Sequence, residues 1–445
     1  MTALQLFRVY NRSMHIYFSG IGGAGIGPLA QIAHQAGYTV SGSDKQDSQY
    51  IQYLQAHGIT NIHIGQDYDG ISKVYDETPI DWMVYTSALP LENPDAAELR
   101  FCLDQEIKTS KRDELLNLLL QETGLQLIAI AGTHGKTTTT AMVTWLFKQL
   151  QEPVSYLLPA KVSYGEMGEF TKGSKYFIYE ADEFDRNFLA FEPAISLITG
   201  VSWDHHEIFP TREDYQQAFI EFIEQSQKSY VWQDDADYLK LEPSESVSVL
   251  DPVNEAIAQI TLKGFYNRLD ARLAVTAVHE ATAAPIKTLL ASINNFPGLT
   301  RRMEQIIANL YSDYAHTPEK ICGAMSVATE MAAESGQKLV VVYEPLTNRR
   351  QHYLKAEYKD CFAGATKIYW LPSYLAREDP TQRIISAEEM ITYLADPSIA
   401  EPAVLGNRLK QTIDDYLTDG KTMVVAMVGG GGNSLDDWLR QNFAS

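Results

Sequence analysis

The chain has 445 residues, 45% hydrophobic and 21% charged, which accommodates roughly three domains at about 150 residues each and excludes an intrinsically disordered protein. Thirty-six Lys and Arg stand against 57 Asp and Glu, a net charge of −21. No nucleic-acid partner is expected, because phosphate backbones demand clustered cations.

A phosphorylated small molecule is compatible with this charge, since backbone N–H groups and a single lysine bind one locally. Three cysteines, Cys102, Cys322 and Cys361, form no CxxC pair and no metal spacing, which points to a reducing, cytoplasmic setting. No apolar run reaches the ~18 residues of a bilayer span, so no membrane insertion is expected. The first 13 residues lack the apolar region of a signal peptide and read as an extension ahead of the pattern that starts at Met14.

Several short apolar runs share one grammar, each ending on Gly or a polar residue: 15–23, 81–89, 125–137, 176–184, 194–206, 338–346 and 421–432. Rich in Ile, Val, Leu and Tyr, they read as buried strands. Helix-like stretches follow most of them, such as 27–37 and 138–150. This alternation predicts parallel α/β sheets with functional groups at the C-terminal strand ends. The stretch 233–262 is acidic and weakly patterned and reads as loops and short strands. Breaks are expected near 113–124 and near 297–300, where Pro297 and Gly298 interrupt the pattern.

The first strand runs into Gly20-Ile21-Gly22-Gly23-Ala24-Gly25, a turn with the glycine density of a dinucleotide fingerprint. Ser43 and Asp44 follow about twenty residues later at the end of the next strand-like run, suited to a ribose or nearby polar atoms. Alone, this motif suggests NAD. The stretch Gly132-Thr133-His134-Gly135-Lys136-Thr137-Thr138 also follows a strand and opens a helix. That is the context of a phosphate loop, in a shorter GxxGKT form: Lys136 reaches the β- and γ-phosphates and the Thr137 hydroxyl ligates Mg²⁺.

Glu180, Asp182, Glu183 and Asp185 crowd the end of the next strong strand. Alone they would be a solvated acidic loop; after a phosphate loop they suit a cation. Asp204-His205-His206-Glu207 closes a third strand, and such clusters bind metals or shuttle protons. Extended neighbours point to opposite faces, so one of the two histidines is expected to face away.

In order, GIGGAGIGPLA, SGSD, SKRDELL, GTHGKTTTT, EADEFD, the Asp-His pair, Arg301-Arg302 before a strand and DYAHTPEK resemble the Mur ligases, ATP-dependent amide-forming enzymes of peptidoglycan assembly. The resemblance covers nearly the whole chain from Met14. It implies an α/β fold of three domains, each a mainly parallel sheet flanked by helices. These are a Rossmann-like UDP-sugar domain (14–118), a P-loop ATPase-like ATP domain (119–297) and a Rossmann-like domain for the incoming amino acid or peptide (298–445). The N-terminal glycine turn then holds a UDP-sugar and not NAD.

The first block looks most like the branch that joins L-alanine to UDP-N-acetylmuramate. The resemblance implies that ATP phosphorylates the muramyl carboxylate, an amine attacks the acyl phosphate, and phosphate leaves. Lys136, Glu180 and His205 would be catalytic, with Thr137 and Glu180 holding Mg²⁺ and His205 at a second metal or at the acyl phosphate. Gly132 to Thr138, Asn267, Arg302 and Asp313 would contact ATP. Gly22, Gly23, Ala24, Gly25, Ser43, Asp44, Ser87 and Arg112 would contact the UDP-sugar. His316, Asn348, Arg349 and Arg350 would receive the amine, although Arg349 and Arg350 also read as an exposed basic turn.

Three departures stand out. Tyr266 replaces the histidine of the family's adenine-contacting His-Asn pair. His316 is single where the alanine-adding branch has two adjacent histidines. The stretch 342–348 and the Gly429 to Gly432 run look more like the ligase that attaches a whole murein tripeptide during recycling. That ligase is the alternative within the class, and a non-catalytic nucleotide-binding regulator is the alternative outside it. The oligomeric state stays open.

Overall fold

The computed structural model describes residues 14–444 apart from 87–88, 90–92, 94, 206–207, 374, 376–380 and 430–433. Ser87, His206 and the Gly430 to Gly432 stretch therefore lie outside the described residues, as do the first 13. Three mainly parallel sheets carry the fold. The first contains β1 (His15–Ser19), β2 (Thr39–Asp44), β3 (Ile62–Ile64), β4 (Trp82–Tyr85) and β5 (Lys108–Lys111) in the order β3-β2-β1-β4-β5. The strand order reverses beside β1, which leaves a crevice beyond its C-terminal end.

The second sheet contains β6 (Gln126–Ala131), β7 (Ser155–Leu157), β8 (Gly168–Glu169), β9 (Tyr176–Glu180), β10 (Ile195–Ile198), β11 (Ser229–Trp232) and β12 (Val247–Leu250). Its order is β12-β11-β10-β6-β9-β7-β8, so β6 lies between β9 and β10, with the edge strand β8 antiparallel. The third contains β13 (Glu304–Ile307), β14 (Leu310–Asp313), β15 (Lys338–Tyr343), β16 (Lys367–Trp370), β17 (Ala400–Pro402) and β18 (Thr422–Met427). Its order is β13-β14-β18-β15-β16-β17, with β13 antiparallel. Every apolar run expected to form a strand does so. The inner strands are apolar on both faces because helices cover both.

The helices that position the site start at these strand ends. They are α1 (Gly27–Ala36), α2 (Gln49–Ala56), α3 (Ala97–Asp104), α4 (Arg112–Thr123), α5 (Lys136–Gln149), α6 (Gln233–Leu239), α7 (Phe265–Thr282), α8 (Pro318–Ser335) and α9 (Ser434–Phe443). Helix α1 has a proline in its first turn and stops at Gly37, whose φ of +102° a side chain disfavours. The Thr317 hydroxyl caps α8, and Gly336 closes it. Helix α6 corrects the reading of 233–262 as loops and strands: Ala236 and Leu239 are buried, and Asp234 and Asp235 suit its first turn.

The chain divides into two compact units, 1–260 with 270–296, and 261–269 with 297–445. The first two sheets share the first unit. Helix α4 explains why: its Leu115, Leu116 and Leu119 join one buried core with Ile16 and Phe18 of β1 and Leu127 and Ala129 of β6. Among the described residues no helix is long and apolar enough to cross a membrane.

Candidate active site

The turn after β6 has a conformation only glycine accepts readily. Gly132 has φ +141° and Gly135 φ +72°. A Cβ on Gly132 would lie 2.4 Å from Thr199 Oγ1, and one on Gly135 2.6 Å from Asp270 Oδ1. Side chains of the turn brace it against the end of β10. The Thr133 hydroxyl donates to the Ser202 carbonyl (2.8 Å) and accepts from the Ser202 N–H (2.9 Å). His134 Nε2 lies 2.9 Å from Ser202 Oγ. Asp235 accepts the Val201 N–H at 2.8 Å, and burial pushes its pKa up to about 6.

Lys136 is the first residue of α5, with Gly135 as its cap. Its ammonium donates to the Gly132 carbonyl (2.5 Å) and to Glu183 Oε2 (2.7 Å). Burial works against this charge, but Glu183, Asp182 and Glu180 outweigh burial and keep the lysine protonated. Glu183 is 1% exposed, and its other oxygen lies 3.7 Å from His205 Nε2. The carboxylate thus stands between a lysine and a histidine.

Asp182, Glu183 and His205 each offer a ligand atom, all within 4.8 Å of one another; they are such a group among the described residues. Strained backbone flanks the cluster, with φ +53° at His205 and +56° at both Asp185 and Arg186. Non-glycine residues hold this conformation only where the surroundings enforce it. Glu183 Oε1 is buried with no hydrogen-bond partner among the described residues. Two carboxylates with an orphaned oxygen suit Mg²⁺, a hard cation that seeks oxygen.

The turn after β1 is held from β2. The Ser43 carbonyl accepts from the N–H groups of Gly20 (2.8 Å) and Ile21 (2.9 Å). Asp44 Oδ2 accepts the Gly22 N–H at 2.8 Å. A Cβ on Gly25 would lie 2.6 Å from the Arg112 guanidinium. Arg112 opens α4 and also lies 3.6 Å from Asp182. It therefore stands between the first glycine turn and the acidic end of β9. Beside it, Lys111 pairs with Asp185.

The second unit gathers a cationic corner. Arg302 donates to the Tyr314 carbonyl (3.0 Å), and buried Asp313 accepts the Met303 N–H (2.8 Å). His316 is 5% exposed, and its Nδ1 has no partner among the described residues. Burial and then Lys320, Arg302 and Arg350 hold its pKa well below the usual histidine range, so the ring is neutral at pH 7. Asn348 is spent on the fold: its amide donates to the Arg383 carbonyl and accepts the Ile385 N–H. Arg349 is exposed and Arg350 half-buried.

A family model described as the Mur ligase family catalytic domain matches residues 15–123, and one described as the Mur ligase middle domain matches 130–252. The chain belongs to the Mur ligase family. Two relatives named UDP-N-acetylmuramate–L-alanine ligase, from Christiangramia forsetii and Lactobacillus helveticus, are each 27% identical to it. The first alignment covers 95% of both chains, the second 95% of this chain and 97% of the relative. The fold is shared with the UDP-N-acetylmuramate-alanine ligase of Thermotoga maritima (TM-score 0.73, 21% identity, 96% of this chain and 98% of that one). It is also shared with a murein peptide ligase of Psychrobacter arcticus (TM-score 0.63, 20% identity, 97% and 99%).

In this Mur ligase the structure brings together Lys136, His205 and the glycines of the phosphate loop. Two neighbours that the sequence offered only as part of the acidic, cation-suited stretch join them: Glu183, which contacts both Lys136 and His205, and Asp182. Both belong to the acidic stretch, but only burial distinguishes Glu183 from Glu180. Glu180 stabilises the Lys136 charge from the last position of β9. Ser43 turns its hydroxyl inward, and Thr133 braces β10. Asn267 donates to the Lys263 carbonyl within the second unit, which also contains Arg302 and Asp313. Glu344 was missed as well: its carboxylate accepts N–H groups of Gly429 and Leu435 and so caps α9.

Proposed function

We propose that this enzyme is an ATP-dependent, ADP-forming ligase that joins UDP-N-acetylmuramate to L-alanine in peptidoglycan synthesis in the cytoplasm. The observation that carries this reading is Lys136, protonated at a helix N-terminus between the Gly132 carbonyl and the Glu183–His205 pair. Phosphoryl transfer to a carboxylate brings two anions together and needs fixed positive charge at that point. Lys136 supplies it once phosphate oxygens replace Glu183 as its partner. Asp182, Glu183 and His205 would hold Mg²⁺, together with Thr137 and Glu180, the ligands that the resemblance implies; the ion would neutralise phosphate charge.

The division of labour follows the three sheets. The Gly22 to Gly25 turn, Asp44 and Arg112 bind the UDP-sugar. Arg112, close to both Gly25 and Asp182, guides the muramyl carboxylate toward the phosphoryl donor. Asn267, Arg302 and Asp313, the further ATP contacts that the resemblance implies, all belong to the second unit. Neutral His316 with Arg350 and Lys320 receives the amino acid, whose carboxylate suits the cationic corner and whose amine attacks the acyl phosphate.

Phosphate release with UDP-N-acetylmuramate, ATP and Mg²⁺ tests this when L-alanine and the murein tripeptide are compared as acceptors. Release with L-alanine supports the reading. Release with the tripeptide alone makes the enzyme a recycling ligase, and release with no acceptor in a panel makes it a nucleotide-binding regulator.

A further inference from the structure

Glu98 is 1% exposed and belongs to none of the motifs above. It lies in the first turn of α3, beneath the C-terminal ends of β1 and β2. A buried carboxylate survives only where hydrogen bonds compensate its lost hydration. Three hydroxyls offset part of that loss here, while burial still pushes its pKa above the usual carboxylate value. Tyr17 of β1 donates to Oε1 at 2.7 Å, Ser19 of β1 donates to Oε2 at 2.5 Å, and Ser43 of β2 donates to Oε1. Gln66, just beyond β3, donates in turn to Ser19 Oγ at 2.9 Å. One side chain therefore ties α3, β1, β2 and the turn after β3.

The two serines are the residues from which the glycine turn hangs. Ser19 immediately precedes Gly20. Ser43 offers the carbonyl that takes the Gly20 and Ile21 N–H groups, and the next residue, Asp44, takes that of Gly22. Glu98 grips both serines by their side chains while their backbones hold the turn. Removing its charge leaves three buried hydroxyls competing for fewer acceptor sites and releases the spacing between the two strand tips. A turn that must seat a diphosphate is sensitive to such a shift, since binding groups misplaced by about 1 Å lose much of their effect.

We propose that Glu98 is a positioning residue for the UDP-sugar, a buried carboxylate that fixes the tips of β1 and β2 and thereby the shape of the Gly20 to Gly25 turn. This rests on the UDP-sugar reading of that turn. Glu98 touches no reacting atom, so its loss weakens sugar-nucleotide binding and spares the phosphoryl-transfer machinery of the second sheet.

The test is steady-state kinetics and calorimetry on the full chain carrying Glu98→Gln, with UDP-N-acetylmuramate as the probe. The expected result is a rise of about tenfold in its KM and Kd, the weight of one to two buried hydrogen bonds. At saturation kcat and the KM for ATP stay within twofold. An unchanged KM for UDP-N-acetylmuramate in the folded variant overturns the proposal, and so does an equal fall in kcat with that KM unmoved. If Glu98→Gln does not fold, Ser43→Ala and Ser19→Ala each remove one donor without adding volume. Each is expected to raise the same KM two- to threefold, and no rise in either overturns the proposal. Wild type that binds UDP-N-acetylmuramate alongside variants that bind it equally well defeats this proposal alone; wild type that does not bind it defeats the UDP-sugar reading and this proposal with it.

Discussion

The turns after β1 and β6 share one local architecture, strand to glycine turn to helix, yet they are built from different materials. The first is held by backbone and carboxylate: the Ser43 carbonyl and Asp44 take successive N–H groups, and a cation beside it, Arg112, comes from a helix far along the chain. The second is braced by side chains against the end of β10 and carries its own cation, Lys136, one residue past the turn. A turn with a lysine beside acidic strand ends suits phosphoryl transfer. A turn with a distant arginine suits binding. Glycine content alone does not separate the two; the source of the charge does.

Changing Lys136 should break this contrast most severely. Lys136→Ala is expected to lower kcat by about a thousandfold, the scale on which a lost transition-state charge partner acts, measured by ADP release at saturating substrates. Gly132→Ala comes next. Its Cβ would stand 2.4 Å from Thr199 Oγ1 at φ +141°, so a loss of ~2 kcal/mol in stability and of about a hundredfold in kcat is expected, read by thermal unfolding and turnover. Asp44→Ala should act on the other turn only. It frees the Gly22 N–H and is expected to raise the KM for UDP-N-acetylmuramate about fivefold with kcat unchanged; a fall in kcat instead would join the two turns into one function.

The smallest effect concerns pH. Asp235 braces the second turn, and its pKa in the fold is raised to about 6 from an ordinary 3.8. Between these values the folded state binds more protons than the unfolded chain, so this group costs stability as pH rises from about 4 to 6. Asp235→Asn still accepts from Val201 N–H but cannot ionise. It should narrow the Tm difference between pH 5 and pH 7 by about 1–2 degrees, on the order of 1 kcal/mol; an unchanged difference would show that Asp235 titrates normally.

The strands, the parallel sheets and the phosphate loop were legible because buried parallel strands are continuous apolar runs and a GxxGKT turn has a narrow set of uses. Helix α6 was not, since two buried positions, Ala236 and Leu239, leave almost no periodic trace in an acidic segment. The acidic stretch was legible as a cation site but not in its division of roles. Glu180 and Glu183 look alike in sequence, and only the burial of Glu183 beside Lys136 tells them apart. Ser43 and Asn348 have the right chemistry for ligands, yet their partners, Glu98 and the 383–385 segment, come from distant parts of the chain that spacing does not reveal. The same holds for Glu98 and Glu344, single carboxylates whose importance comes only from what folds around them.

The central claim, that the two glycine turns bind different nucleotides, is tested most directly by titrating Lys136→Ala with both ligands by calorimetry. The account predicts that UDP-N-acetylmuramate binds within twofold of wild type while a non-hydrolysable ATP analogue with Mg²⁺ loses at least tenfold in affinity. Loss of UDP-N-acetylmuramate binding with ATP-analogue binding intact would contradict it.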